Sequence, residues 1–299
     1  MNGSPLPPRR LLLIANPISG GGRGKVAAAA LQQALRQHDV HGEVYFTTCA
    51  GDAAVRATRA HDESWDGLVA IGGDGTINEV LNGMPDPTRP LGVLPVGTAN
   101  VLAMELRLPK KPAAVAAMLA AGHRRSLAIG VCNGRRFLLF IGSGVDGAVV
   151  RRLAEVRTGT LGKHKWFGPI LHTVLHWPHH HLRVTLDNGV VVDGLSSILV
   201  TRVRNYGGVM QLVPGIDPYG DALHVLCFRA RSRFVWAWLG TCAVFGRLRA
   251  CRHLEVHATT ALRIDGDAAW QVDGDHGGTG NVAIELLPAR ASVFAPQSS

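Results

Sequence analysis

The sequence predicts a two-domain chain: an α/β N-terminal domain with a parallel, Rossmann-like sheet, followed by an all-β, sandwich-like domain. Three observations predict this. Apolar runs alternate with helical patterns four times before Leu106, and glycine turns follow three of those runs. From Ser126 onward the pattern changes to short strands and hairpin signals. Strand–helix alternation is the mark of a doubly wound parallel sheet. In such sheets ligands bind beyond the C-terminal ends of the strands.

Leu11 to Ala15 reads as the first strand and enters the loop NPISGGGRG at Asn16 to Gly24. This is no Walker A loop, because Val26 follows Gly24-Lys25 and no glycine stands five residues before Gly24. It is still a glycine loop with two cations, Arg23 and Lys25, suited to nucleotide phosphates. Ala27, Leu31, Ala34 and Leu35 recur at helical spacing. Glu43 to Thr48 reads as the second strand, and Gly51-Asp52-Ala53 opens a helix through about Ala60. Leu68 to Ile71, wholly apolar, suits a strand buried on both faces. It runs into Gly72-Gly73-Asp74-Gly75-Thr76. Thr76 and Glu79 have capping-box spacing, which predicts a helix start there. Leu91 to Leu94 is the fourth strand. Gly97-Thr98 follows, with Thr98 as predicted N-cap of a helix to about Leu106. A helix at Pro112 to Ala121 precedes a boundary near residue 125, giving domains 1–125 and 126–299.

In the second domain, Leu182 to Asp187, Asn188-Gly189 and Val190 to Asp193 form a hairpin signal. Ser196–Thr201, Leu223–Phe228, Leu254–His257, Ala261–Ile264, Ala269–Val272, Val282–Leu286 and Ser292–Ala295 also read as strands. Between Arg151 and His181 the chain is basic and histidine-rich. His172 and His176 stand four apart but lack a third ligand. Arg157, Lys163 and Lys165 beside Trp166 and Phe167 suit an anionic lipid surface. The uncharged run Phe234 to Gly246, bounded by Arg231, Arg233, Arg247 and Arg249, reads as an amphipathic core helix, with a membrane-facing helix as the alternative. It is too short to span a bilayer.

Composition narrows the partners. Hydrophobic content is 46% and charged content 18%, which excludes a disordered chain. Lys plus Arg number 31 against 22 acids, a net +9, so an anionic partner is expected: a nucleotide, an acidic membrane or nucleic acid. No basic-aromatic array supports nucleic acid. The five cysteines are odd in number and lack a C-x-x-C pair, so neither a disulfide framework nor a zinc site is signalled, and a reducing compartment is expected. MNGSPLPPRR is no signal peptide. A cytoplasmic, peripherally membrane-associated protein is the expectation; the oligomeric state is left open.

The chemistry lies in the glycine turns. A strand, a glycine turn and a helix N-terminus cradle phosphate through backbone N–H groups and the helix dipole. Asp74 adds a carboxylate where phosphates would sit, which calls for a divalent cation between them. Together NPISGGGRGK, GGDGT-INE, LPVGTAN and the VDG near Asp273 resemble the diacylglycerol kinase-type lipid kinase family, which includes bacterial lipid kinases and sphingosine and ceramide kinases. The likeness runs along nearly the whole chain. It implies ATP and Mg²⁺, a membrane lipid such as diacylglycerol as acceptor, and an active site in the interdomain cleft. It assigns nucleotide binding to Asn16, Thr47, Gly72, Gly73, Asp74, Gly75, Thr76, Ile77, Asn78 and Thr98, with Asp74 reaching the nucleotide's magnesium through water.

In QVDGD the resemblance makes Asp275 the base that takes the lipid hydroxyl's proton, with Asp273 supporting the turn. PGIDPYGDALHV resembles a segment holding a structural magnesium, which maps onto Asp221 and the carbonyls of Pro218 and Leu223; Ile216 and Ala222 depart from the pattern. Asp146 in GSGVDGAVV resembles the family's G-x-D loop, and the resemblance allows an acidic network of Asp74, Asp146 and Asp273. Val101 stands where many relatives carry Asp. The resemblance also allows the last strand to return to the first domain. NAD kinases share the GGDGT turn, but the P-x-GTAN segment and the NEVLNG continuation favour a lipid kinase. A nucleotide-binding regulatory protein without catalysis is countered by the retained Asp74 and Asp275.

Overall fold

The computed structural model describes residues 7–156, 173, 180–206, 210–213, 215–248 and 251–297. The chain forms two compact units, Met1–Ala128 with Pro288–Ser299, and Ile129–Leu287.

In the first unit β1 (Arg10–Ala15), β2 (His41–Phe46), β3 (Gly67–Gly72) and β4 (Leu91–Pro95) lie in the order β2-β1-β3-β4, all neighbours parallel. Helices α1 (Gly24–Arg36), α2 (Asp52–Arg59), α3 (Asp74–Gly83), α4 (Val101–Glu105) and α5 (Pro112–Ala121) alternate with or follow the strands. Every residue of β3 is buried, which is why that strand reads as an unbroken apolar run. Burying each of Leu68, Val69 and Ile71 is worth roughly 1.5–3 kcal/mol. The chain's last strand, Val282–Phe294, ends in this unit, with Val293 paired in parallel to Leu91 and Phe294 fully buried. It is one strand where the sequence pattern suggested two.

Two helix starts differ from expectation. α3 begins at Asp74, with Gly73 as an extended N-cap whose carbonyl accepts from Ile77 N at 3.2 Å. Thr76 therefore lies inside the helix, buried, and forms no capping box. α4 begins at Val101 after Asn100, which takes a left-handed φ of 52°. Thr98 precedes that start and is not its cap. Both shifts follow from the tight entry of each glycine turn into its helix.

The second unit contains the end of β5 (Arg124–Cys132), then β6 (Arg135–Phe137), β7 (Phe140–Ser143), α6 (Val145–Val156), β8 (Leu182–Leu186), β9 (Val191–Leu195), β10 (Ser197–Thr201), β11 (Asn205–Tyr206), β12 (Met210–Gln211), β13 (Leu223–Phe228), α7 (Arg233–Val244), β14 (Leu254–Thr259), β15 (Ala261–Asp265), β16 (Ala269–Val272), β17 (Asp275–Thr279) and the first part of β18 (Val282–Phe294). One antiparallel sheet runs β14-β13-β10-β7-β16-β17, and a second set runs β18-β15-β8-β9. Alternate residues of both meet in one core, among them Ile141, Val184, Leu195, Ile198, Val225, Ile264 and Val272. Period-two burial on facing sheets makes the sandwich. Among the described residues, helices α6 and α7 accompany it. The basic segment with Arg157, Lys163, Lys165, Trp166, Phe167, His172 and His176 lies outside the described residues, as does Arg249.

Candidate active site

The three motif loops leave the C-terminal ends of β1, β3 and β4, so parallel strands bring them to one rim of the first unit. Asn16 follows β1 and donates its N–H to Ile71 O at 2.9 Å; its own Oδ1 accepts from Ile18 N. Thr47 follows β2 and is half-buried, its N–H on Ala15 O. The Gly72-Gly73 and Gly97 turns press backbone to backbone: a Cβ on Gly97 would come within 2.4 Å of Gly73 Cα. No side chain fits between these turns, which explains glycine at both positions without invoking a ligand.

Gly75 is different. It is exposed at the first turn of α3, has no positive φ, and a Cβ built there meets nothing within 4 Å. The fold itself does not require glycine at this position. A backbone that must stay bare toward open space at a helix N-terminus is the geometry of an anion cradle. Thr98, after β4, and Arg23 and Lys25, after β1, are exposed as well. Arg23 Nε also donates to Gly20 O at 2.7 Å, bracing its own loop. Ile77 and Asn78 are 2% and 3% exposed. Their side chains belong to the interior, Asn78 Oδ1 accepting from Asn82. Thr76 is 8% exposed and packs against Gly72. Of the predicted nucleotide residues these three sit inward of the rim.

Asp74 caps another helix. Its two carboxylate oxygens accept from Val101 N and Leu102 N at 3.0 and 3.1 Å, closing the first turn of α4. Burial pushes its carboxyl above the usual range, and the amides of Val101, Leu102 and Asn100 oppose that. Asp74 is the carboxylate that would meet a water of nucleotide-bound magnesium, an oxygen donor of the kind that ion takes. Val101 supports this arrangement through its N–H, a task its side chain does not affect.

In the second unit Asp273 and Gly274 form the two-residue turn of the β16–β17 hairpin, with φ of 49° and 91°. Asp273 is 8% exposed and accepts from the N–H groups of Leu138, Leu139 and Phe140 at 3.1, 3.1 and 3.0 Å. This is a structural carboxylate tying the turn to the 138–140 backbone. Asp275, half-exposed, meets Arg135 at 2.6 Å. Asp146, on the first turn of α6, is half-buried and receives hydrogen bonds from Tyr206 and Gln271. Desolvation raises its carboxyl above the usual range, and Tyr206 is likewise raised beside it. Gln271 Oε1 in turn accepts from Gly274 N at 2.8 Å. Asp146 thus buttresses the turn that carries Asp275, through Gln271. Gly142 makes the space, since a Cβ there would strike the Asp146 carboxylate.

The segment expected to hold a structural magnesium presents no open cation cage. Arg202, 2% exposed, places Nη2 at 2.7 Å from Gly220 O and 3.4 Å from Pro218 O. A guanidinium already faces these carbonyls, and a divalent ion on Pro218 O would meet its charge at close range. Asp221 is exposed and Leu223 is the first residue of β13. Among the described residues no group of three or more His, Cys, Asp or Glu side chains is arranged to hold a metal. We therefore derive no step through a metal at this turn. A cavity of about 450 Å³ near His123, Met118 and Pro296 contains none of the motif residues.

The sequence pattern missed Arg135, Tyr206, Gln271 and Arg202. Gln271 was visible as a polar residue in an apolar strand beside the DGD turn; the other three are joined to the site only by long-range pairing.

The chain thus combines a parallel α/β unit with glycine turns on its rim and a β unit presenting a braced Asp-Gly-Asp turn. Residues 10–132 match the diacylglycerol kinase catalytic domain. The chain is 28% identical over 275 residues to a diacylglycerol kinase of Bacillus subtilis (strain 168), covering 90% of this chain and 91% of that one. It is 28% identical over 295 residues to a diacylglycerol kinase of Staphylococcus aureus (strain MRSA252), covering 96% and 93%. Its fold superposes on a crystal structure of a diacylglycerol kinase from Bacillus anthracis str. Sterne with a TM-score of 0.76 at 21% identity, covering 96% and 97%. Residues 10–132 thus resemble that catalytic domain, and the chain as a whole is similar in sequence and fold to these kinases.

Proposed function

We propose that this lipid kinase transfers the γ-phosphate of ATP to a hydroxyl of a membrane lipid, diacylglycerol or a close relative, with Mg²⁺ on the nucleotide. The observation that carries the reading is Gly75: a bare, exposed backbone at the N-terminus of α3, with Asp74 beside it and Arg23, Lys25 and Thr98 on the same rim.

Phosphoryl transfer needs positioned phosphates, neutralised charge and a base on the attacking hydroxyl. The rim holds the phosphates through N–H groups and cations. Asp74 would hold the hydrated magnesium of ATP, which would supply charge neutralisation when bound. Asp275 accepts the proton from the lipid hydroxyl, and Arg135 orients its carboxylate. Asp146, Gln271 and Asp273 hold the Asp275 turn in place. The net charge of +9 favours peripheral attraction to anionic membranes.

The test is transfer of labelled phosphate from ATP to a total lipid extract, with and without magnesium. A magnesium-dependent labelled lipid supports the proposal, and its chromatographic mobility identifies the acceptor. ATP binding with no labelled lipid would favour the non-catalytic regulatory reading.

A further inference from the structure

We infer that the outward face of α7 is a membrane-docking ridge that seats the protein on anionic lipid. This deepens the lipid-kinase reading and rests on it for its catalytic consequence.

Sequence periodicity favoured burial of this helix in the core, and one face does pack inward. Leu239, Cys242 and Ala243 are buried, and Trp236 stacks on Phe228 with centroids 5.6 Å apart. The opposite face is also apolar and lies open. Phe234 is 74% exposed, Trp238 59% and Phe245, just past the helix end, 73%. At 100° per residue these positions fall within about 40° of one another. Thr241 sits on the same stripe, and its hydroxyl is satisfied by Ala237 O at 2.9 Å. Three large side chains aligned and uncovered are rare on a water-facing surface.

Charge names the occupant. Exposed Arg231, Arg233 and Arg247 stand at the two ends of the ridge, and Arg233 lies 5.3 Å from the Phe234 ring centroid. No acidic residue occurs between Asp221 and Glu255. Aromatic side chains ringed by arginines suit the boundary between headgroups and acyl chains of an anionic bilayer. The helix is about 18 Å long, too short to cross, and among the described residues no helix is long and apolar enough to do so. A second copy is a poor occupant: a two-fold contact would bring the same arginines together with no carboxylate in the stretch to pair with them.

The experiment is co-sedimentation of the full chain with vesicles of phosphatidylcholine alone or mixed equally with phosphatidylglycerol. Wild type is expected to prefer the anionic vesicles. Phe234→Ser with Trp238→Ser and Phe245→Ser should lower binding at least about tenfold, against a tenfold per 1.4 kcal/mol. Arg231→Gln with Arg233→Gln and Arg247→Gln should cost up to about 100-fold on anionic vesicles, at roughly 1 kcal/mol per cation. Unchanged thermal melts establish that the variants fold. In a separate reporter experiment, brominated lipid should quench tryptophan emission less in Trp238→Phe, with binding retained. Equal sedimentation of wild type and the aromatic variant would overturn the inference. So would a wild-type dimer in light scattering that the aromatic variant dissociates, since a second copy would then cover the face. Assay on water-dispersed short-chain diacylglycerol separates the two claims: the ridge variants should keep the wild-type rate there. If the wild type phosphorylates no lipid while vesicle binding still depends on the ridge, the kinase reading fails and the docking surface stands.

Discussion

Gly75→Ala separates a structural glycine from a ligand-contacting one. Gly75 is the second residue of α3, its φ is not positive, and the new methyl would meet no atom within 4 Å. Alanine at a compatible position stabilises by about 0.4–1 kcal/mol, mainly by restricting the unfolded chain. For a unit of this size that corresponds to a rise of roughly 1–4 °C in the melting temperature. The same methyl occupies the space where N–H groups would approach phosphate, so nucleotide affinity should fall roughly 10- to 100-fold, about 1.4–2.8 kcal/mol. Calorimetric melting without ligand and isothermal titration with magnesium–ATP measure the two effects. Opposite signs, a more stable protein that binds ATP poorly, are the predicted outcome. Wild-type ATP affinity would remove Gly75 from the cradle, and a lower melting temperature would refute the claim that its surroundings are open.

Three more predictions follow from single side chains. Asp273→Ala removes the acceptor of three backbone N–H groups and puts alanine at a φ of 49°; a loss of about 3 kcal/mol or more is expected in urea unfolding, with Asp273→Asn losing less. Arg202→Met should destabilise by about 1–3 kcal/mol by leaving the Gly220 and Pro218 carbonyls without their donor, while a chelator should not shift the wild-type melting temperature. A chelator that lowered it would restore a metal to that turn. Among the five cysteines only Cys49 is exposed, and burial pushes the Cys132 and Cys227 thiols up to about 12. At pH 8 a thiol reagent should therefore label one site rapidly, and Cys49→Ser should abolish that phase.

Much of this architecture is legible in sequence because its signals are local. β3 is apolar throughout since both its faces are covered, and Asn188-Gly189 marks a hairpin because the turn chemistry sits in adjacent residues. What escaped is long-range or two-sided. Asp74 caps α4 from 27 residues away, so the local N-cap candidates, Thr76 and Thr98, pointed to the wrong starts. Asp146 meets Tyr206 and Gln271 only because β7, β10 and β16 are neighbours in one sheet, and no spacing rule connects them. Arg202 reaches the carbonyls of a turn that resembles a metal loop, and a cation from another strand leaves no sign in the loop's own residues. α7 is apolar on both faces, and periodicity gives no information on which face is covered.

The most direct measurement compares wild type and Asp275→Asn for phosphate transfer from ATP to lipid, with ATP binding measured on the same preparations. Asn keeps the size of the side chain and a contact for Arg135 but takes up no proton. The predicted result is magnesium-dependent lipid phosphorylation by the wild type, turnover lower by at least about 100-fold in Asp275→Asn, within the usual range for a lost general base, and equal ATP affinity. Wild-type turnover in Asp275→Asn would contradict the assignment of the base.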